Sequence, residues 1–221
     1  MFDRIAGRYD RLNSVMTAGL HHHWRARAVD LAQVNPGGRV LDVATGTGDL
    51  ALAMVDRVGS QGAVVGVDFA AVMLQLAQVK DPTGQVEWLQ GNALDLEFAD
   101  DAFDAATVGF GARNFADLDR GLAEMARVVK PGGHVVVLEM TTPQRPPLST
   151  FFSVWFDRIV PVLGRLSGDS SGAYSYLPSS VRRFPGPEEL AARLSAAGLS
   201  DVSYILTAGG IIALHVGTVS A

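Results

Sequence analysis

The sequence predicts an α/β protein built on a seven-stranded, mostly parallel sheet with helices on both faces. Three observations carry that expectation. Strand-like and helix-like segments alternate from Arg39 to Leu138, the order in which parallel strands are joined by crossover helices. The first strand runs into a glycine-bearing loop and then a helix, the opening unit of a Rossmann-like sheet. Two late strand-like runs flank Gly209-Gly210, which suits a sheet that ends in a hairpin.

The elements follow in order. Phe2–Val34 reads as helix in pieces, broken near Thr17-Ala18-Gly19, and Pro36-Gly37-Gly38 is a turn. Arg39–Val43 is a buried first strand, Ala44–Gly48 the glycine loop and Asp49–Val58 a helix. Ala63–Val67 is the second strand, ending at Asp68, and Ala70–Val79 the next helix. Val86–Gln90 and Phe103–Val108 are the third and fourth strands. Leu118–Val129 is a helix that Lys130-Pro131-Gly132-Gly133 stops, because proline cannot continue it. Val135–Leu138 is the fifth strand. Leu148–Leu166 reads as a long helix with Leu148, Phe151, Phe152, Trp155, Phe156, Ile159 and Leu163 near one face. That face either packs on the sheet or roofs a greasy ligand tail. Pro187 opens a helix that Gly198 ends, and Val202–Leu206 and Ile211–Val216 are the last strands.

Composition narrows the function classes. The 221 residues contain no Cys, which excludes a disulfide framework, a thiolate metal site and a cysteine nucleophile. The net charge is -5 and the 18 Lys and Arg are scattered, which disfavours nucleic acid as a partner. Met1-Phe2-Asp3-Arg4 does not open a secretory signal, and no apolar run is long enough to span a bilayer. The expected location is the cytoplasm. His21-His22-His23 is not read as a metal site, because adjacent helical residues point about 100° apart and cannot converge on one ion.

The chemistry starts at Thr45-Gly46-Thr47-Gly48. Glycines there allow a sharp turn and a close approach by a ligand. Asp68, at the end of the next strand, stands where a carboxylate accepts from a ribose diol. The same loop also fits a dinucleotide fingerprint, Gly46-Thr47-Gly48-Asp49-Leu50-Ala51, so the motif alone does not separate a nicotinamide cofactor from S-adenosylmethionine. Charge favours the second. Asp42 before the loop and Asp49 at the helix start would repel a pyrophosphate drawn to that N-terminus, and they suit a ligand with an ammonium tail and a sulfonium centre. Asn92 is placed to bond an adenine and Ala93 to leave it room. The plainer readings are a helix-start carboxylate for Asp49 and a turn residue for Asn92.

Longer stretches resemble a known family. Tyr9-Asp10, Leu12-Asn13, Met16-Thr17, His21 and Trp24 form the first. Arg127-Val128-Val129-Lys130-Pro131-Gly132-Gly133, leading to Leu138-Glu139-Met140-Thr141, forms the second. Phe110-Gly111-Ala112-Arg113-Asn114, Tyr174 with Tyr176-Leu177, and the ending Gly209-Gly210-Ile211-Ile212-Ala213-Leu214-His215 agree. Together they resemble the UbiE/MenG family of quinone-biosynthesis C-methyltransferases over nearly the whole chain. The resemblance implies a class I, Rossmann-like methyltransferase fold in one domain, residues 1–221. Within it lie an N-terminal helical lid (1–35), a cofactor-binding core (36–140), a substrate-covering insertion (141–186) and a C-terminal helix and hairpin (187–221). It implies that Thr47, Asp68, Asn92 and Ala93 bind S-adenosylmethionine. Gly109 stands where a contacting Ser is usual, so only a backbone contact is expected there. The implied substrate is a polyprenylated quinol: demethylmenaquinol is favoured, and the methoxy-polyprenyl-benzoquinol of the ubiquinone route is the alternative. Weak peripheral membrane contact at the inner face and a homo-oligomer are further expectations.

Methylating a ring carbon requires an electron-rich quinol and in-line placement, with no metal. Arg113 and Asn114 are the first candidates for holding the quinol oxygen, since they follow the fourth strand at the ligand-bearing edge. A surface salt bridge is the plainer reading of Arg113. Tyr9 is a candidate to close over the cofactor, and Tyr174 and Tyr176 to line the quinol pocket. His215 and Glu139 are weaker base candidates, and a histidine in an apolar strand more often belongs to the core. Three other readings compete: a nicotinamide-dependent oxidoreductase, a non-catalytic binding module, and a methyltransferase acting on another small molecule.

Overall fold

A computed structural model describes residues 19–143, 146, 149, 150 and 179–220. Tyr9, Tyr174, Tyr176 and most of the helix expected over Leu148–Leu166 lie outside these described residues. The elements are α1 (Leu20–Leu31), β1 (Arg39–Val43), α2 (Asp49–Val58), β2 (Ala63–Asp68), α3 (Ala71–Lys80), β3 (Val86–Gln90) and β4 (Phe103–Gly109). There follow a 3-10 turn (Ala112–Asn114), α4 (Leu118–Arg127), β5 (Val129–Met140), α5 (Pro187–Ala196), β6 (Leu199–Thr207) and β7 (Ile212–Val219). The expected seven strands form one sheet, in the order β3-β2-β1-β4-β5-β7-β6.

The central strands are apolar on both faces because helices cover both. Along β1, Val40 packs with Trp24 and Ala28 of α1 and with Leu50 and Met54 of α2. Leu41 and Val43, pointing the opposite way, pack with Leu122 and Met125 of α4 and Leu190 and Leu194 of α5. This is the two-residue alternation of a strand read against two helical layers. β1 pairs in parallel with both β2 and β4. The chain therefore leaves β1 toward one edge and returns at β4 on its other side. Loops beyond the C-terminal ends of these strands diverge there, and the crevice between them is where open α/β sheets bind ligands.

Two departures from the sequence reading have physical causes. Pro131-Gly132-Gly133 does not separate α4 from β5; it lies inside β5. Phe103 pairs with Val129 but Ala105 pairs with His134, so residues 130–133 bulge opposite Asp104. Asp104 pins the bulge by accepting from Lys130 Nζ at 2.6 Å and from the Arg39 backbone N–H at 2.7 Å. A Cβ on Gly133 would stand 2.5 Å from the Asp104 carbonyl oxygen, so only glycine fits. The second departure is in the final hairpin. β6 and β7 are longer than expected, and β7 inserts between β5 and β6, antiparallel to both. Both backbone neighbours extend its pairing beyond the apolar run.

Among the described residues no helix is long and apolar enough to cross a membrane.

Candidate functional site

The C-terminal ends of β1, β2 and β4 and the loop after β3 surround a cavity of about 400 Å³. Asp42, Gly46, Thr47, Asp49, Asp68, Asn92, Ala93, Gly109 and Asn114 all line it. Gly48 caps α2 beside it, at φ +82°. A Cβ on Gly48 would stand 2.4 Å from the Trp88 ring, so the second loop glycine is required by its left-handed backbone and by the indole under it.

Asp68 organises one end of the cavity. One carboxylate oxygen accepts from Gly46 N–H at 2.7 Å and the other from Ala70 N–H at 2.8 Å. Each oxygen retains lone-pair capacity for a ligand. Burial raises the Asp68 pKa, against the two amide bonds. Next to it, Phe69 is 79 % exposed and lines the cavity, a large apolar surface left facing a concave site. Asn92 accepts from Leu94 N–H at 3.0 Å through its side-chain oxygen. It is thus a turn residue as well as a wall residue, and its amide nitrogen has no partner among the described residues. A Cβ on Gly109 would approach Leu50 Cδ2 to 3.1 Å, so the missing side chain relieves contact with α2.

At the other end, Asp42 is 1 % exposed. It accepts from Thr45 Oγ1 at 2.6 Å and Thr107 Oγ1 at 2.8 Å, and has no ion pair among the described residues. Burial pushes its pKa up to about 6 against these two hydroxyls. Asp49 differs. Burial works against its charge, but Arg25 at 3.1 Å and Lys80 at 2.6 Å hold its pKa below the ordinary carboxylate value. Lys80 also donates to Thr47 Oγ1 at 2.9 Å. Arg25 and Lys80 sit on helices outside the loop motif, and the sequence reading did not single them out. Only the fold brings them to Asp49.

Arg113 is neither on the surface nor on the wall of the main cavity. Its side chain is 8 % exposed and bonds Glu139, itself 1 % exposed, at 2.6 Å. It also donates to the Phe110 carbonyl at 2.5 Å, and its backbone N–H donates to Glu139 at 3.3 Å. Arg113 lines a smaller adjoining cavity of about 370 Å³ with Ser180, Arg183 and Phe184. The two cavities share Asn114, Phe115 and Ala116. His215 lies away from both, fully buried between β5 and β6. Its Nε2–H donates to the Pro187 carbonyl at 2.9 Å, and burial lowers its pKa. That is a core histidine. His21 is buried against Arg25, while His22 and His23 are exposed.

Residues 1–219 match the ubiE/COQ5 methyltransferase family. The chain belongs to that family. Within the ubiE/COQ5 family, it is 49 % identical to the demethylmenaquinone methyltransferase of Thermus thermophilus, over 98 % of this chain and 99 % of that one. Identity to the Bacillus subtilis enzyme of the same name is 40 %, over 98 % and 94 %. The fold is shared more widely. The methyltransferase bound to the Haloferax volcanii Trm112 activator superposes with a TM-score of 0.72 at 20 % identity, covering 100 % of this chain and 98 % of that one. A SAM-dependent methyltransferase of Aquifex aeolicus gives 0.61 at 20 %, covering 84 % of each. Membership in the ubiE/COQ5 family sets aside the oxidoreductase and binding-module readings and bears out the family resemblance read from the sequence.

Proposed function

We propose that this protein methylates a ring carbon of a polyprenylated quinol with S-adenosylmethionine, converting demethylmenaquinol to menaquinol. The observation that carries the reading is the single cavity in which a nucleoside-binding carboxylate, Asp68, and an ammonium-binding one, Asp42, flank the glycine loop. Its volume and donor set fit that cofactor, and the names of the curated relatives supply the substrate class.

When bound, S-adenosylmethionine supplies an electrophilic methyl group on a sulfonium sulfur. Asp68 would accept from the ribose hydroxyls, the Asn92 amide would donate to the adenine, Ala93 would leave room for the ring and Phe69 would cover it. Asp42 would face the ammonium. Thr47 and Gly109 complete the wall, Gly109 by backbone alone. Asn114, on the rim shared with the second cavity, holds a quinol oxygen, and Arg113 supports it from the adjoining side. An unperturbed phenol titrates near pH ~10, so donors to its oxygen favour the electron-rich anion. With that anion held, the ring carbon would be the nucleophile for the methyl group and would lose its proton to restore the aromatic ring. Because the prenyl tail partitions into lipid, the reading places the protein in weak peripheral contact with the inner membrane face.

The test is methyl transfer from labelled cofactor to chemically reduced demethylmenaquinol under anaerobic conditions. A product heavier by one methyl group is expected, with less turnover of the methoxy-polyprenyl-benzoquinol. Cofactor binding without transfer to either quinol would sink the substrate assignment.

Asp42 adds a pH signature. Burial holds its folded pKa at about 6, above the ordinary value of 3.8. Its contribution to stability is therefore full below pH 3.8 and lost as pH rises through 6, on the order of 3 kcal/mol by neutral pH. An ammonium placed against it draws the pKa back down. Binding of S-adenosylhomocysteine at pH 6 is thus expected to release about half a proton, and Asp42→Asn to abolish that release. Titration calorimetry in buffers of different ionisation enthalpy measures it; a binding enthalpy independent of buffer would count against the ammonium at Asp42.

A further inference from the structure

We infer that Arg25, on α1, is the anchor for the α-carboxylate of the cofactor's amino-acid tail; this rests on the S-adenosylmethionine reading above. Among the described residues, Arg25 is the one cationic side chain on the wall of the main cavity. A carboxylate that enters this cavity sheds water and requires a cation to meet it. The nucleoside end, at Asp68 and Asn92, supplies none.

Arg25 is built for the role. Its guanidinium bonds Asp49 at 3.1 Å and the His21 ring, and lies over the Phe110 ring, 5.9 Å from the centroid. Those contacts fix its direction and use part of its five N–H donors, so others remain for a ligand. Asp49 is shared between Arg25 and Lys80. One carboxylate between two cations leaves this corner net positive. Asp42, buried nearby without an ion pair, supplies the negative group. The tail end of the cavity thus carries both charges, the complement of a zwitterionic amino acid. Asp49, on this account, does not receive the ammonium; it aims Arg25. A consequence is that α1, which precedes the whole glycine-loop unit, bears on the cofactor through one side chain.

The experiment compares three nucleosides on the full chain. S-adenosylhomocysteine has the tail; 5′-methylthioadenosine keeps the nucleoside and thioether without it; decarboxylated S-adenosylhomocysteine lacks only the carboxylate. Arg25→Gln is expected to weaken S-adenosylhomocysteine binding about 10- to 100-fold, the range for losing a charge-assisted hydrogen bond. It should leave 5′-methylthioadenosine unchanged, which also shows that the variant folds. If Arg25→Gln does not fold, the wild-type chain decides: the decarboxylated compound should bind about 10- to 100-fold more weakly than its parent. Equal losses for tailed and tailless ligands, or equal wild-type binding of the decarboxylated compound, would overturn the anchor and leave the cofactor reading intact. A wild-type chain that binds none of the three overturns both.

Discussion

Asp68→Ala is expected to weaken S-adenosylhomocysteine binding by about 100-fold or more, with little change in folding stability. Each hydrogen bond to a charged group contributes about 1.5–3 kcal/mol, and a ribose diol offers two. The carboxylate is also pre-aimed: its two oxygens already take Gly46 N–H and Ala70 N–H, so binding pays little for ordering it. Stability changes little because two effects oppose. Removing the side chain forfeits those two amide bonds but relieves the burial that raises the Asp68 pKa. Asp68→Asn distinguishes charge from shape, since the amide keeps one acceptor; its loss should be intermediate. Calorimetric affinities beside urea unfolding provide the check. An Asp68→Ala affinity within threefold of the wild type would show that the ribose is not held here.

Glu139→Ala has the largest expected effect on stability, a loss of about 3–5 kcal/mol. The mutation removes the carboxylate from a guanidinium that is almost wholly buried. It also removes the acceptor for Arg113 N–H and for Met140 N–H at 2.8 Å. A buried charge deprived of its partner costs far more than the pair contributed. The paired change Arg113→Met with Glu139→Leu should therefore recover most of the stability, because neither charge is left behind. Activity should not return with it. The ion pair ties β5 to the turn Ala112–Asn114, and that turn carries Asn114 to the shared rim of the two cavities. Urea midpoints for the single and paired variants, beside methyl transfer, separate the two roles. A drop below about 1 kcal/mol for Glu139→Ala would mean that water reaches Arg113.

Much of the fold and the cavity wall around the glycine loop were legible without coordinates, because their signals are local. Apolar runs of strand length, the glycine loop between Val43 and Asp49, and a carboxylate at the end of the second strand are properties of neighbouring residues. Short-range backbone sterics read them directly. The number of strands and the closing hairpin followed from them, and the fold brings Gly46, Thr47, Asp68, Asn92 and Ala93 to one cavity.

What the tertiary structure alone decided depends on residues far apart in sequence. The Pro131-Gly132-Gly133 run looks like a helix stop because its local preference is to break structure; pairing with β4 makes it a bulge in β5 instead. Asp49 reads as a free helix-start carboxylate until α1 and α3 deliver Arg25 and Lys80 to it. Arg113 reads equally as a holder of the quinol oxygen or as a surface salt bridge, until β5 places Glu139 against it and buries the pair. Sequence reports the intrinsic charge of such groups. Their effective charge, and so what ligand they hold, is set by burial and by partners that only the folded chain supplies.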